Sequence, residues 1–343
     1  MKIVFSTYMR NSGSYLWLAQ RLAKAFATRG VQAYWINDVI NYNGPNHLDA
    51  IHVYLTTFNM IPAFLQSRAR SRFGHTYIVA DTVLPYHPLL QLNEWQEKYD
   101  FTLLTPSIYN YLRFSKFTKI KYFPYALPIE RFIHYESRRD YFVVGANEPD
   151  YDRKGMFLAS WMREMGFPVK AICHNLCPHG FARPNLSNDD VEKEWDTVRW
   201  YLALSHAESP HLPLLESYLH GIPSFYHNAT EFQYLGVGVE LPTAYPQIRA
   251  GKMMLVWEYD YGKMWDALYR LYTFPEDLYR KLSWTVFEFA RKWFGPSRLD
   301  DYLKLDNVDY SPTDIIHDVE RIREVVAEEL KAKELEGASL GKP

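Results

Sequence analysis

Cysteine is nearly missing from this chain, with only Cys173 and Cys177 in 343 residues. Two thiols make no disulfide framework and suit a reducing compartment. With His174 and His179 beside them they superficially resemble zinc ligands. Four ligands so close in sequence would need a very tight loop, and no second knuckle occurs elsewhere, so no metal site is expected. Long apolar runs are absent too: nothing reaches the roughly 18 residues that a membrane span requires. The opening Met1-Lys2-Ile3-Val4-Phe5-Ser6 reads as a core strand, too short and too early for a signal peptide, and a cytoplasmic protein is expected. Neither sign of charge dominates, the 38 Lys and Arg against 40 Asp and Glu leaving a net charge of -2. That balance gives no general nucleic-acid footprint. There is no phosphate loop and no nucleophile elbow, and Gly236-Val237-Gly238 lacks the third glycine of a dinucleotide fingerprint.

What is present is material for cores. Hydrophobic residues make up 48% and charged residues 23% of the chain, a balance that folds, over a length that suits two domains. Aromatics reach 17%, with 27 Tyr and 10 Trp; most serve an aromatic-rich core, and carbohydrate-stacking surfaces are the other reading. Basic residues cluster at Arg68, Arg70 and Arg72 and again at Lys116, Lys119 and Lys121. They read as solvated surface or as a patch for peripheral membrane contact and an anionic lipid acceptor.

Strand and helix patterns alternate through the first half. Ile3–Ser6 predicts a strand, followed by a loop to Ser14 and a helix over 15–28 with Leu16, Ala19, Leu22, Ala23 and Phe26 on one face. Gly30 stops that helix. Further strands are expected over 31–36, 50–55, 76–80 and 101–104. A second alternating unit opens at Tyr141-Phe142-Val143-Val144-Gly145. It continues through a helix over 155–165, a strand over 169–172, an acidic helical region over 189–198 and a strand at Tyr201. The last hundred residues read as helices over 261–272, 275–293 and 311–335. The expected fold class is α/β, two Rossmann-like doubly wound parallel sheets with C-terminal helices. The expected domains are 1–135, 136–285 and a C-terminal helical part, 286–343, that partly packs back on the first.

The most informative stretch runs from Ser205 to Ser217. Trp200 to Leu204 reads as a short buried strand, and Leu212 to His220 has helical spacing with Pro213 in its first turn and Gly221 as its stop. Glu208 lies in the loop and Glu216 on the helix. Such a loop sits at the carboxyl edge of a parallel sheet, where open α/β proteins bind ligands, and free N–H groups at a helix start favour an anion. An ordinary helix with an acid near its start would look similar. The context is what resembles a known family: Ser205, Glu208, Leu212-Pro213-Leu214-Leu215-Glu216-Ser217 and Gly221-Ile222-Pro223 are similar to the glutamate–seven residues–glutamate signature of retaining glycosyltransferases with the GT-B fold, especially glycosyltransferase family four.

The resemblance implies transfer of a sugar from a nucleotide-sugar donor to an acceptor hydroxyl with retention of anomeric configuration. No cofactor is implied beyond that co-substrate, and no metal is required. It implies that Glu216 binds the ribose hydroxyls of the donor and that Glu208 lies against the donor sugar; a carboxylate accepts two strong bonds from vicinal hydroxyls. Backbone N–H groups of His211, Leu212 and Leu214 would face the diphosphate, although Pro210 removes one donor from the loop. Lys154 matches the Lys-Gly pair of the family's Gly-Arg…Lys-Gly element after the strand ending at Gly145. The family's arginine is Ala146 here, so Arg153 would substitute. The Gly13 loop stands where the family has a glycine-rich turn, and Asp81 stands near a family histidine that faces the donor sugar, as base, sugar ligand or helix cap. Ser107 matches a recurrent family serine or is a cap. Pro124 and Phe132 keep the hinge pattern, while Tyr125 and Ala126 replace its Asn and Gly. The acceptor would be a glycan, a lipid-linked molecule or a protein. A non-catalytic glycan- or nucleotide-binding relative and a GT-B-fold sugar-nucleotide epimerase are the alternatives.

Overall fold

The computed structural model describes residues 1–8, 14–81, 89–144, 156–172, 188–205, 212–242, 246–248, 255–257 and 261–340. Two compact units emerge. The first contains Met1–Glu130 and Arg291–Pro312; the second contains Arg131–Glu208, Pro213–Ala290 and Thr313–Pro343.

In the first unit the elements run β1 (Lys2–Ser6), α1 (Ser14–Thr28), β2 (Gln32–Ile36), β3 (Ile51–Thr57), α2 (Ile61–Leu65), β4 (Thr76–Asp81), α3 (Leu89–Lys98), β5 (Phe101–Thr105), α4 (Ile108–Phe114) and β6 (Lys121–Tyr122). The strands form one parallel sheet in the order β2-β1-β3-β4-β5-β6. Strands buried on both faces carry continuous apolar runs, as Ile3-Val4-Phe5 and Ile78-Val79-Ala80 do here. The segment Arg291–Pro312 belongs to this unit through Tyr302, whose buried ring meets Phe5, Phe26 and Phe123 edge-on. Leu127 N–H donates to Phe294 O at 2.7 Å, and Arg29 pairs with Asp300 at 3.0 Å.

The same sheet holds a buried histidine. His52 meets Ser6 Oγ at 2.7 Å through Nε2 and Thr76 Oγ1 at 3.0 Å through Nδ1. Its ring stacks on Phe73 with centroids 3.8 Å apart. Burial pushes its pKa well below the ordinary 6.5, and the Arg70 charge pushes the same way. His47 is lowered as well, first by burial. Both imidazoles stay neutral in the fold while the unfolded chain takes up protons below about pH 6.5. Stability is therefore complete above that value and falls as pH drops from it toward the depressed pKa values, by about 1.4 kcal/mol per pH unit for each proton. Urea midpoints measured between pH 7.5 and 5 should show this fall, and His52→Gln should reduce the slope by about one proton. Equal slopes in the two proteins would assign the lost stability to other groups.

In the second unit the elements run β7 (Asp140–Val144), α5 (Met156–Glu164), β8 (Val169–Ile172), α6 (Asn188–Glu194), β9 (Val198–Ala203), α7 (Leu212–Leu219), β10 (Ser224–His227), α8 (Phe232–Leu235) and β11 (Gly238–Leu241). A two-stranded antiparallel ribbon, β12 (Pro246–Ile248) with β13 (Leu255–Trp257), follows. The helices α9 (Tyr261–Tyr272), α10 (Glu276–Phe294) and α11 (Pro312–Leu340) complete the chain. The sheet order is β11-β10-β9-β7-β8, parallel throughout. The expected acidic helix over 189–198 is cut short at Glu194 and passes through a 3-10 turn, Trp195–Thr197. Val198 and Trp200 then point into the core with strand periodicity.

Helix α7 ends in a Schellman motif: Ile222 N–H donates to Ser217 O at 2.8 Å and Gly221 N–H to Tyr218 O at 2.9 Å. Gly221 has φ +72°, and a Cβ there would sit 2.6 Å from the Phe132 ring, so the position demands glycine twice over. Gly238 has its own reason: a Cβ would lie 2.0 Å from Ser224 O on the neighbouring strand. Arg323 on α11 donates to the carbonyls of Phe232, Gln233 and Gly236, joining the last helix to the end of α8. Among the described residues no helix is long and apolar enough to cross a membrane.

Candidate functional site

Strand order alone marks one place in the second unit. From β7 the chain proceeds through α5 to β8 on one side, and from β9 through α7 to β10 on the other. The connections therefore diverge between the carboxyl ends of β7 and β9, the point at which open parallel sheets form a crevice for ligands. Every candidate of this unit belongs to the chain that leaves or re-enters those two strands. Gly145, Arg153 and Lys154 stand between β7 and α5, and Glu208 and His211 stand between β9 and α7; all five lie outside the described residues, as do Gly13 and the group Cys173, His174, Cys177 and His179.

The described candidates are Glu216, Leu212, Leu214 and Asp81. Glu216 is 7% exposed, just past the first turn of α7. Its backbone carbonyl accepts from His220 N–H at 3.1 Å and lies 2.7 Å from His220 Nδ1, whose Nε2 meets Glu192 Oε1 at 2.9 Å. The buried imidazole, set between two helices and stacked on Trp195, thus ties the Glu216 turn to α6. The Leu212 and Leu214 side chains are core. What those residues offer at the helix start is backbone N–H, which helix geometry leaves without an intrahelical partner. A carboxylate near the surface of a helix whose positive end is at the crevice can bind hydroxyls while the N–H groups meet an anion.

In the first unit the corresponding divergence lies between β1 and β3, since β1 leads to β2 and β3 to β4 on the opposite side. Tyr8 follows β1; burial holds its phenol above the usual range, an effect that Thr57, the last residue of β3, partly offsets. Thr57 is in register with Asp81, the last residue of β4. Asp81 is 7% exposed and accepts a hydrogen bond from the Tyr15 hydroxyl. Ser107 is a cap: its Oγ accepts from Asn110 N–H at 3.1 Å at the start of α4. No sequence motif marks Tyr15 or Tyr8 as a site residue, and Tyr15 stands at the start of an amphipathic helix. The available signal was their place in a loop and a helix start directly after the first strand of a parallel sheet.

The basic clusters separate in character. Arg70 donates to the carbonyls of Phe73, Gly74 and Asp100, and Arg72 to Gly44 O at 2.7 Å. Those two guanidinium groups staple loops. Lys116, Lys119 and Lys121 are exposed, beside exposed Phe117.

No protein-family model matches the chain. Among curated proteins it is 30% identical over 254 residues to "Putative glycosyltransferase ORF315" of Acidianus bottle-shaped virus (isolate Italy/Pozzuoli), covering 71% of this chain and 78% of that one. Proteins bearing the same designation are ORF313 of Acidianus filamentous virus 1, 26% identical over 57% of this chain and 69% of its own, and ORF330 of Acidianus filamentous virus 2, 27% identical over 68% and 75%. Among solved structures, Thermosynechococcus elongatus sucrose-phosphate synthase superposes with a TM-score of 0.59 at 12% identity, over 89% of this chain and 98% of that one. Anabaena HepE in complex with UDP and glucose gives 0.60 at 9% identity, over 90% and 100%. At such identities the structural likeness establishes the fold, and the viral sequences establish the kinship.

Proposed function

The chain belongs to the GT-B glycosyltransferases, and from that membership we propose that it transfers a sugar from a nucleotide-sugar donor to an acceptor hydroxyl with retention of anomeric configuration. The observation that carries the reading is the little-exposed Glu216 carboxylate on α7, the helix that follows β9 at the divergence between β7 and β9. A ribose with two vicinal hydroxyls suits that carboxylate, and the diphosphate suits the helix start. HepE, one of the structures this chain resembles, carries UDP, which supports a nucleoside diphosphate as the leaving group.

In this reading Lys154 and Arg153, with the backbone N–H groups of His211, Leu212 and Leu214, stabilise charge on the departing diphosphate. Gly145 and Gly13 let backbone approach the phosphates or the acceptor. As the bond from the anomeric carbon to the phosphate oxygen breaks, Glu208 faces the positive charge that develops on the sugar. The acceptor oxygen attacks from the face the phosphate leaves, its bond to the anomeric carbon forms, and its proton passes to a phosphate oxygen. No separate strong base is needed, and a metal is not called for because the cationic side chains and the helix start meet the diphosphate charge. A lipid-linked acceptor would suit the exposed Lys116, Phe117, Lys119 and Lys121; a glycan or a protein needs no such patch.

A panel of nucleotide sugars, assayed for released nucleotide and for transferred sugar, tests the reading. One donor should be consumed with transfer, and the proton coupling of the product's anomeric centre should show the donor's configuration. Inverted product would remove the retaining assignment. Binding of nucleotide without turnover would favour a non-catalytic relative, and a change of sugar configuration without transfer an epimerase.

A further inference from the structure

We propose that Tyr15 is a positioning residue for the transfer, its hydroxyl holding the Asp81 carboxylate in the orientation in which Asp81 meets a substrate hydroxyl. The inference rests on the glycosyltransferase reading and extends it to a residue that no family motif touches.

The argument begins with the cost of a carboxylate at this place. Asp81 closes β4 and is almost wholly removed from solvent, so each of its oxygens needs a donor. Three phenols surround it, from three separate parts of the chain. Tyr15, in the first turn of α1, donates to Oδ1. Tyr8, after β1, feels the Asp81 charge, and its ring lies 6.4 Å from that of Tyr15. Tyr125, after β6, is 1% exposed, feels the Asp81 charge, and has a hydroxyl with no hydrogen-bond partner among the described residues.

Burial, and after it the Asp81 charge, hold the Tyr15 phenol well above its usual range, and the same two causes act on Tyr125. Tyr15 is therefore a proton donor at every working pH and never competes for the proton of the carboxylate. A pair made only for stability could stand anywhere along β4. This one stands at the carboxyl end of the strand, one strand from the divergence between β1 and β3. Ionised, a carboxylate has about four lone-pair sites, so a sugar hydroxyl can join Tyr15 without displacing it.

Tyr15→Phe keeps the ring and removes only the donor. Turnover at neutral pH should fall about 10-fold, with KM for donor and acceptor within about twofold. Loss of a donor makes the carboxylate easier to protonate, so the acid limb of kcat/KM should move to higher pH by up to about one unit. In the Asp81→Asn background Tyr15→Phe should cost nothing more, since the hydroxyl acts only through that carboxylate. A readout without turnover uses protein carrying carbon-13 at the aspartate carboxyls. The resonance missing from Asp81→Asn identifies Asp81, and its titration should move upward in Tyr15→Phe. Additive losses, an unmoved acid limb or an unchanged carbon-13 titration would overturn the proposal. Should the wild-type protein transfer sugar from no donor, the glycosyltransferase reading fails, while the carbon-13 titration still decides whether Tyr15 governs Asp81.

Discussion

Glu208→Ala should lower turnover with the preferred nucleotide sugar about 10²–10³-fold, the scale seen when one preorganised electrostatic contact to developing charge is removed. The reason lies in when the contact matters. Positive charge on the sugar ring is small in the bound donor and large as the diphosphate leaves, so a carboxylate against the ring is worth most in the transition state. Donor KM should then move by no more than about threefold. Glu216→Ala should behave in the opposite way. In the proposed role its carboxylate binds the nucleotide, which changes little during reaction, so KM should rise about 10-fold or more while turnover at saturation is retained. Steady-state kinetics on both variants, with calorimetric titration of the nucleotide diphosphate, separates the two. Full activity in Glu208→Ala would sink the assignment of this block as the donor site.

Arg138→Met should cost the protein about 2–4 kcal/mol, the scale for removing charge-assisted hydrogen bonds from buried neutral acceptors. The guanidinium is 4% exposed. Its Nη1 donates to Gly221 O, to Ser283 Oγ at 2.8 Å and to Tyr279 Oη at 3.2 Å. Its Nη2 donates to His220 O at 3.0 Å and to Ile133 O. Methionine fills much of the volume but takes a donor from three buried carbonyls: Gly221 O keeps Ser283 Oγ and His220 O keeps Ile133 N–H, while Ile133 O is left with no other donor among the described residues. At about 2–4 °C per kcal/mol for a unit of this size, the melting point should drop by roughly 10 °C. Lysine should recover less than half of the loss, because one ammonium cannot span carbonyls reached by a planar fork. Scanning calorimetry of the three proteins measures this; a drop near 2 °C would mean that the surrounding backbone finds other donors.

Much of the fold was legible as periodicity. The α1 helix and its stop at Gly30, the strand over 169–172 and the helix over 261–272 were readable because each buries one uninterrupted pattern against its own neighbours. Less readable were the short pieces. The β6 strand is only two residues long, and β11 opens on Gly238, a residue whose place depends on the carbonyl of a strand already laid down. The acidic stretch over 189–198 carried a helical composition to its end, yet Val198 and Trp200 were drawn into the sheet because a buried tryptophan outweighs the propensity of the residues before it.

The site divides in the same manner. The place of Glu216 on a helix and the Gly221-Ile222-Pro223 stop were readable because a strand, a helix start and a turn must follow one another in sequence to build that corner. Tyr15, Tyr8 and Tyr125 could not be found that way: they meet Asp81 only because β1, β4 and β6 lie in one sheet. The Arg138 hub likewise collects a loop, a helix end and two residues of α10. Local order along the chain determined the alternation, the two sheets and the place of Glu216 on its helix, since those depend on neighbours in sequence. Which phenol holds which carboxylate, and which carbonyls receive a buried cation, was decided only by tertiary packing, because hydrogen bonds among distant residues are chosen by the strand order that brings them together.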